Sequence, residues 1–332
     1  MTKVKRQHYV PRFILAGFAG EDGKLSVFGR GRDCWFRAEP ENVAVQRYYH
    51  AERTEAGEID TQRIENELSQ IEGDGSSVVR DLLSGKKPTA DQRNAFALFL
   101  TSQDFRSPRR RQDYADMLLG IEHHKFEKNT IRSVEDYTRV IKQASDVTQP
   151  FDVSALSNGS ELTVDENGIV SVGFEATTRA LQAAKHFAPI VAEMYWGLLR
   201  APSGAGYVIG DSPVQLYEKP STLEMHTGPS YWRPGSNIAM PLTSEVCFVA
   251  SHSLPHRERM WHPGFTVTEA KGSEIRFLNH LQLDGCYNQV YASADFPWLA
   301  RKTAALPAAP NRLSFMPVCA DGSAVSVETK RN

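Results

Sequence analysis

The residues best suited to chemistry lie far apart in this chain. Near its start, Gln7-His8-Tyr9-Val10-Pro11-Arg12-Phe13 sets an imidazole and a guanidinium on either side of a proline. Pro11 fixes its own φ and holds Val10 extended, so both side chains leave a preset backbone. An imidazole titrates near neutrality, which equips His8 as a general base or acid; the bland alternative is a hydrogen-bonded core histidine. In the middle of the chain, Phe96, Phe99, Gln103 and Arg106 fall on one stripe of a helix. A guanidinium that continues an apolar stripe needs a partner, because burying it unpaired costs several kcal/mol. That partner is either a carboxylate of the protein or a ligand oxyanion gripped by a planar donor. Further on, Asp211 in Gly210-Asp211-Ser212-Pro213 follows the apolar run Tyr207 to Ile209, where a strand end enters a turn. Rigid scaffolds present functional groups at such places, although an Asx turn needs the same residue.

These positions support two classes of function. In the first, an enzyme cleaves a phosphate-containing substrate, a nucleotide or nucleic acid, with His8 and Asp211 catalytic and with Arg12, Gln103 and Arg106 binding the anion. His8 moves a proton, Arg12 and Arg106 hold oxyanions, Gln103 orients water, and Asp211 acts as base or binds a divalent cation such as Mg or Mn. In the second, the same set recognises a small anionic ligand without turnover, as a binding or sensing module, or simply locks the first segment onto the helices.

Other candidates are weaker. Arg109, Arg110 and Arg111 follow Ser107-Pro108 as a basic helix start that attracts anions, yet short basic runs are common on surfaces. Asp211, Glu218 and Lys219 loosely suggest a metal-dependent nuclease, but Glu218 and Lys219 are adjacent and Pro220 follows, so they do not share a strand face. His252, His256 and His262 lie near one another without the helical pair a zinc site of that type needs, and the adjacent His123 and His124 point to different helix faces. Phosphate-binding Gly-Lys-Ser/Thr loops, a dinucleotide fingerprint and a nucleophile elbow are absent from the sequence.

The elements that must position these groups follow from pattern. Leu25 to Phe28 and Cys34 to Phe36 form a hairpin around a glycine-bearing loop. Ile64, Leu68, Ile71, Val78 and Leu82 trace one helix face. Thr89 with Gln92 makes a capping box that starts a second helix, Ala90 to about Arg106, closed by Pro108. A third helix runs from Pro108 to Lys128, a fourth begins at Ser133, and Asp152 to Val172 is a loop with a short hairpin. Phe174 to Ala188 is helical until Pro189, strands follow at Tyr195 to Leu199, Tyr207 to Ile209 and Val246 to Ala250, and Glu274 to Val290 is a closing helix. The expected fold is α+β, a helical layer packed on a mostly antiparallel sheet in a single large domain. Residues 1–58 carry the first motif and hairpin, 59–190 the helices, and 191–332 mainly strands.

Composition bounds the partners. Across 332 residues, 38 Lys plus Arg face 40 Asp plus Glu, a net charge of −2, so no global polyelectrolyte attraction to nucleic acid or anionic membrane follows. The basic start lacks the apolar core of a signal peptide and no apolar run is long enough to span a bilayer, so a cytoplasmic location and no membrane partner are expected. Four cysteines without a C-x-x-C pair are expected to be reduced.

The residues Gln7 to Phe13, the acidic helix Ile64 to Glu72, Gln103 with Arg106 and Pro108, Trp196, Asp211-Ser212-Pro213, Pro241-Leu242 and Asn279 together resemble a bacterial family defined as domain of unknown function 4238. The resemblance spans nearly the whole chain and implies candidate positions and a fold, but no reaction. Gly210 and Ser212 depart from the Ser and Asn that the family tends to place around that Asp.

Overall fold

The structure is a computed structural model that describes residues 6–32, 35–47, 49–53, 59–60, 62–114, 151–152, 162–164, 170–172, 176–218, 229–252, 264–307 and 317–318. The chain divides into two compact units, residues 1–109 with 177–309, and residues 110–176 with 310–332. Every candidate site residue lies in the first. Its elements in chain order are β1 (Arg6–His8), α1 (Arg12–Ala16), β2 (Leu25–Gly29), β3 (Trp35–Ala38), β4 (Val45–Arg47), α2 (Arg63–Leu83), α3 (Ala90–Phe105), α4 (Ala176–Glu193), β5 (Tyr195–Arg200), β6 (Ile209–Gly210), β7 (Gln215–Glu218), β8 (Ser236–Pro241), β9 (Val246–Ser251), β10 (Phe265–Glu269), α5 (Gly272–Gly285), β11 (Gln289–Ala292) and α6 (Pro297–Ala305).

Helices α2 and α3 form where the sequence places them, for visible reasons. Asp60 Oδ1 accepts the backbone amides of Gln62 and Arg63 at 2.7 and 3.2 Å, satisfying donors at the start of α2. The stripe Ile64, Leu68, Ile71, Val78 and Leu82 is buried. The capping box on α3 is complete, with Thr89 N donating to Gln92 Oε1 and Gln92 N to Thr89 Oγ1. Phe96 on α3 meets Trp196 on β5 and Phe248 on β9 edge to face at 5.4 and 4.9 Å between ring centres. The helical layer thus lies on a five-stranded sheet of order β7-β8-β9-β5-β10, antiparallel except for the parallel pair β5 and β10.

A second sheet, β6-β11-β2-β3, is antiparallel throughout and contains the expected hairpin as β2 paired with β3. Phe28, Val208, Leu283, Val290 and Leu299 form its own small core with α5 and α6. The fold class is therefore α+β with mostly antiparallel sheets. In the second unit, Phe151–Asp152 pairs parallel with Pro317–Val318, and Leu162–Val164 pairs antiparallel with Val170–Val172 as the expected short hairpin. The third helix is described only over 108–114, and the fourth, from Ser133, lies outside the described residues.

Two boundaries differ from the sequence reading. Pro189 does not end α4, which continues to Glu193. The buried face continues past it as Val191 and Ala192, and Arg93 from α3 donates to Ala192 O and Met194 O at 2.8 and 2.5 Å, closing the helix end from outside. The closing helix α5 stops at Gly285 rather than Val290, because Cys286 turns to extended dihedrals and the chain enters β11 between β6 and β2.

Gly75 on α2 marks the closest approach to α3. A Cβ there lies 2.5 Å from Phe99 Cγ. Gly75→Ala relieves about 1 kcal/mol of helix propensity but forces a packed ring to move, at about 1–3 kcal/mol. Chemical denaturation is expected to show a net loss of stability for this variant, whereas Gly73→Ala, with no atom within 4 Å, gains.

Candidate functional site

The first segment approaches α2 and α3 through a short ladder. β1 pairs antiparallel with β4, His8 opposite Val45, and Tyr9 N donates to Ala44 O at 3.0 Å. Ala44 sits at φ 49°, a left-handed conformation that strains a residue bearing Cβ by about 1–2 kcal/mol. This strain is held directly beside the histidine. Pro11 then begins α1, its carbonyl accepting from Ile14 N and Leu15 N, which sets Arg12 and Phe13 on the first turn. After β4, His50 is fixed at both ends: its backbone N donates to Gln7 Oε1 at 2.7 Å, and its Nε2 lies 3.1 Å from His8 O.

Helix α2 supplies the facing wall. Glu65, Leu68, Ser69 and Glu72 occupy one face by helical spacing. With Arg106 at the C-terminal end of α3, they join His8, Arg12, Phe13 and His50 around a cavity of about 230 Å³.

Arg106 is held at one nitrogen. Its side chain is 1% exposed, and Nη2 donates to Glu72 Oε1 at 2.5 Å and to Gln103 Oε1 at 2.8 Å. Gln103 in turn donates Nε2 to Tyr9 O at 2.6 Å, so this amide positions the arginine and the first segment together. Arg106 Nε and Nη1 are buried without a hydrogen-bond acceptor. His8 Nε2 and Glu65 Oε2 are likewise buried without partners. The His8 ring bonds to the Glu41 backbone, and since Nε2 has no partner that bond falls to Nδ1, leaving Nε2 without a hydrogen bond.

Burial drives the two titratable groups in opposite directions. The His8 pKa is lowered, first by desolvation and then by the Arg12 charge, against the Glu41 backbone bond and the Glu72 carboxylate. The Glu65 pKa is raised, first by desolvation and then by Glu72, against Arg106 and a hydrogen bond with Gln7. Both shifts favour the uncharged form. Arg12 stands at the mouth, pairing with Glu41 at 2.8 Å with side chains 62% and 50% exposed. A pair this exposed is worth at most about 1 kcal/mol.

The site candidates therefore separate. His8, Arg12 and Arg106 line one cavity, and Gln103 supports it without lining it. Asp211 lies elsewhere: its fully buried carboxylate accepts from Tyr287 N and Asn288 N at 2.6 Å each and from Gln289 N at 3.0 Å. Burial raises its pKa to about 6 against the pull of those amides. The groups that interact electrostatically with it include Arg30, Tyr9, Tyr291 and Cys286. Asp211 is not among the residues lining that cavity, and the turn before β11 presents three backbone donors to its carboxylate.

The remaining motifs are also accounted for. Arg109 donates to Asp284 O at the end of α5, Glu218 pairs with Arg233 at 3.1 Å, and His252 Nε2 lies 2.9 Å from Tyr231 O. Cys247 and Cys286 are buried free thiols. Cys34, Cys319, His123, His124, Lys219, His256 and His262 lie outside the described residues. Among the described residues, no group of three or more His, Cys, Asp or Glu side chains can hold a metal ion, and no helix is long and apolar enough to cross a membrane. His50, Glu65 and Glu72 line the cavity although the sequence reading gave them no role. The available signal was a pair of glutamates flanking Leu68 on the buried side of α2.

The structure thus defines an α+β protein with a polar cavity between its first segment and a helix pair. The chain belongs to the family described as "Protein of unknown function (DUF4238)", which matches residues 6–296 and so includes every cavity residue. No curated protein and no solved structure matches it.

Asp211→Ala orphans three buried amides at about 1–3 kcal/mol each, so its unfolding free energy is expected to fall by about 3 kcal/mol or more. Denaturant titration checks this. A loss under about 1 kcal/mol contradicts the clamp role.

Proposed function

We propose that the cavity binds the oxyanion of a small phosphate-containing substrate and hydrolyses its ester. The observation that carries this reading is Arg106: a guanidinium fixed by Glu72 and Gln103 through Nη2, with Nε and Nη1 buried and unpaired, in a residue that lines the cavity. Donors preorganised in a site poor in water stabilise developing oxyanion charge without reorganising. Glu72 pairs with the arginine, and burial, which raises the Glu65 pKa, disfavours a second negative charge beside the oxyanion. Arg12 exchanges Glu41 for a substrate oxygen at little cost.

In this reading His8, whose Nε2 has no hydrogen-bond partner, accepts the proton of an attacking water while that water's oxygen bonds to phosphorus and the ester oxygen departs. The cavity, at about 230 Å³, is below the range of about 300–1,000 Å³ typical of drug-sized ligand sites. It suits a phosphoryl group and the first atoms of its ester better than a polynucleotide groove. A cytoplasmic location accords with this substrate class.

The full chain, assayed with and without magnesium or manganese, is expected to hydrolyse a phosphomonoester. Arg106→Lys keeps a charge for Glu72 and is expected to lose about 10²–10³-fold in kcat, and His8→Gln about 10²-fold or more. Phosphate binding that depends on Arg106, with no turnover of any ester, supports the alternative of a non-catalytic anion-binding or sensing module. Neither binding nor turnover overturns both.

A further inference from the structure

We infer that Glu65 is the general acid of this cavity, the group that protonates the departing alcohol when the phosphate ester is cleaved. The inference rests on the hydrolytic reading above and adds to it a second catalytic residue, together with a requirement on the substrate: an ester oxygen that leaves as a poorly stabilised alkoxide or phenoxide.

The geometry carries it. A general acid must face the reacting centre with its acidic oxygen uncommitted. Glu65 Oε2 is buried and makes no hydrogen bond, and Glu65 lines the same cavity as His8 and Arg106, whose Nε2 and whose Nε and Nη1 are likewise buried without partners. Its orientation is fixed from β1, where the Gln7 side chain bonds to it, while Gln7 itself is locked by His50 N. Glu72, on the same face of α2, is already used to hold Arg106 through its Oε1. Glu41 faces outward and pairs with Arg12. Among the cavity-lining residues, Glu65 is the carboxyl with a buried oxygen that has no hydrogen-bond partner.

The chemistry balances. Water attacks phosphorus, His8 Nε2 takes one proton from it, the phosphorus–ester oxygen bond breaks, and the Glu65 carboxyl delivers its proton to that oxygen. The products are an alcohol and the phosphate, and solvent carries the proton from the imidazolium back to the carboxylate. The charged and titratable groups around Glu65 are Glu72 on α2, Arg106 after α3, His8 on β1, His50 after β4 and Arg12 on α1. Burial and the Glu72 charge keep Glu65 protonated to higher pH than an ordinary glutamate, and burial with Arg12 keeps His8 neutral to lower pH than an ordinary histidine. The productive state has His8 neutral and Glu65 protonated, so kcat/KM rises as His8 deprotonates and falls as Glu65 ionises.

The test is Glu65→Gln, which keeps the size of the side chain and a hydrogen bond to Gln7, assayed on two esters. Phenyl phosphate has a leaving group that needs a proton, and 4-nitrophenyl phosphate has one that does not. The expected result is a loss of about 10²-fold on phenyl phosphate, a much smaller loss on 4-nitrophenyl phosphate, and disappearance of the alkaline limb of the phenyl phosphate pH profile. Retained turnover of the activated ester shows that the variant is folded with an intact oxyanion site. Equal losses on both esters, or an unchanged alkaline limb, overturn Glu65 as the acid while leaving the hydrolytic reading in place. Failure of the unsubstituted chain to hydrolyse either ester overturns the hydrolytic reading itself.

Discussion

A guanidinium withdrawn from water and held through one of its nitrogens is the constraint on which the rest of the site depends. Arg106 Nη2 binds Glu72 of α2 and Gln103 of α3. Gln103 carries the connection to the Tyr9 carbonyl, and Tyr49 Oη donates to the Arg106 carbonyl at 2.8 Å. One residue thus ties both helices to the first segment and to the loop after β4. Removing one partner of such a buried pair typically costs about 3–5 kcal/mol. Stability explains the Nη2 contacts. It does not explain why Nε and Nη1 lie buried beside a cavity with no acceptor.

The electrostatics of the cavity bear on how an anion fits among carboxylates. Glu72 is neutralised by Arg106, Glu41 by Arg12, and burial favours the uncharged forms of Glu65 and His8. The lining is therefore close to neutral as a whole while the donors on Arg106 remain directional. An oxyanion is selected here by placed N–H groups rather than by excess positive charge, in keeping with a chain whose net charge is −2.

How much of this was legible in the sequence depends on whether the signal was local. The stripe on α2 and the capping box of α3 are local patterns, and both helices stand where those patterns place them. The stripe from Phe96 to Arg106 correctly announced a buried guanidinium needing a partner. The partner, Glu72, lies 34 residues away and no spacing rule names it. His50 and Glu65 were silent for the same reason, since their meaning comes from a shared cavity. Asp211 carried a genuine signal, a carboxylate at a strand end, but its partners are three amides from a distant turn, and an Asp clamping backbone looks identical in sequence to one serving a ligand. The termini of α4 and α5 escaped because tertiary contacts, the Arg93 bonds and the β11 ladder, decide them.

The most direct measurement is a crystal structure of the protein soaked in tungstate, whose anomalous scattering locates a tetrahedral oxyanion without ambiguity. The account predicts a peak in the cavity, with oxygens about 2.7–3.2 Å from Arg106 Nε or Nη1, and its loss in crystals of Arg106→Lys. Tungstate seated elsewhere, for example on the run Arg109 to Arg111, with the cavity empty at concentrations that occupy other sites, contradicts it.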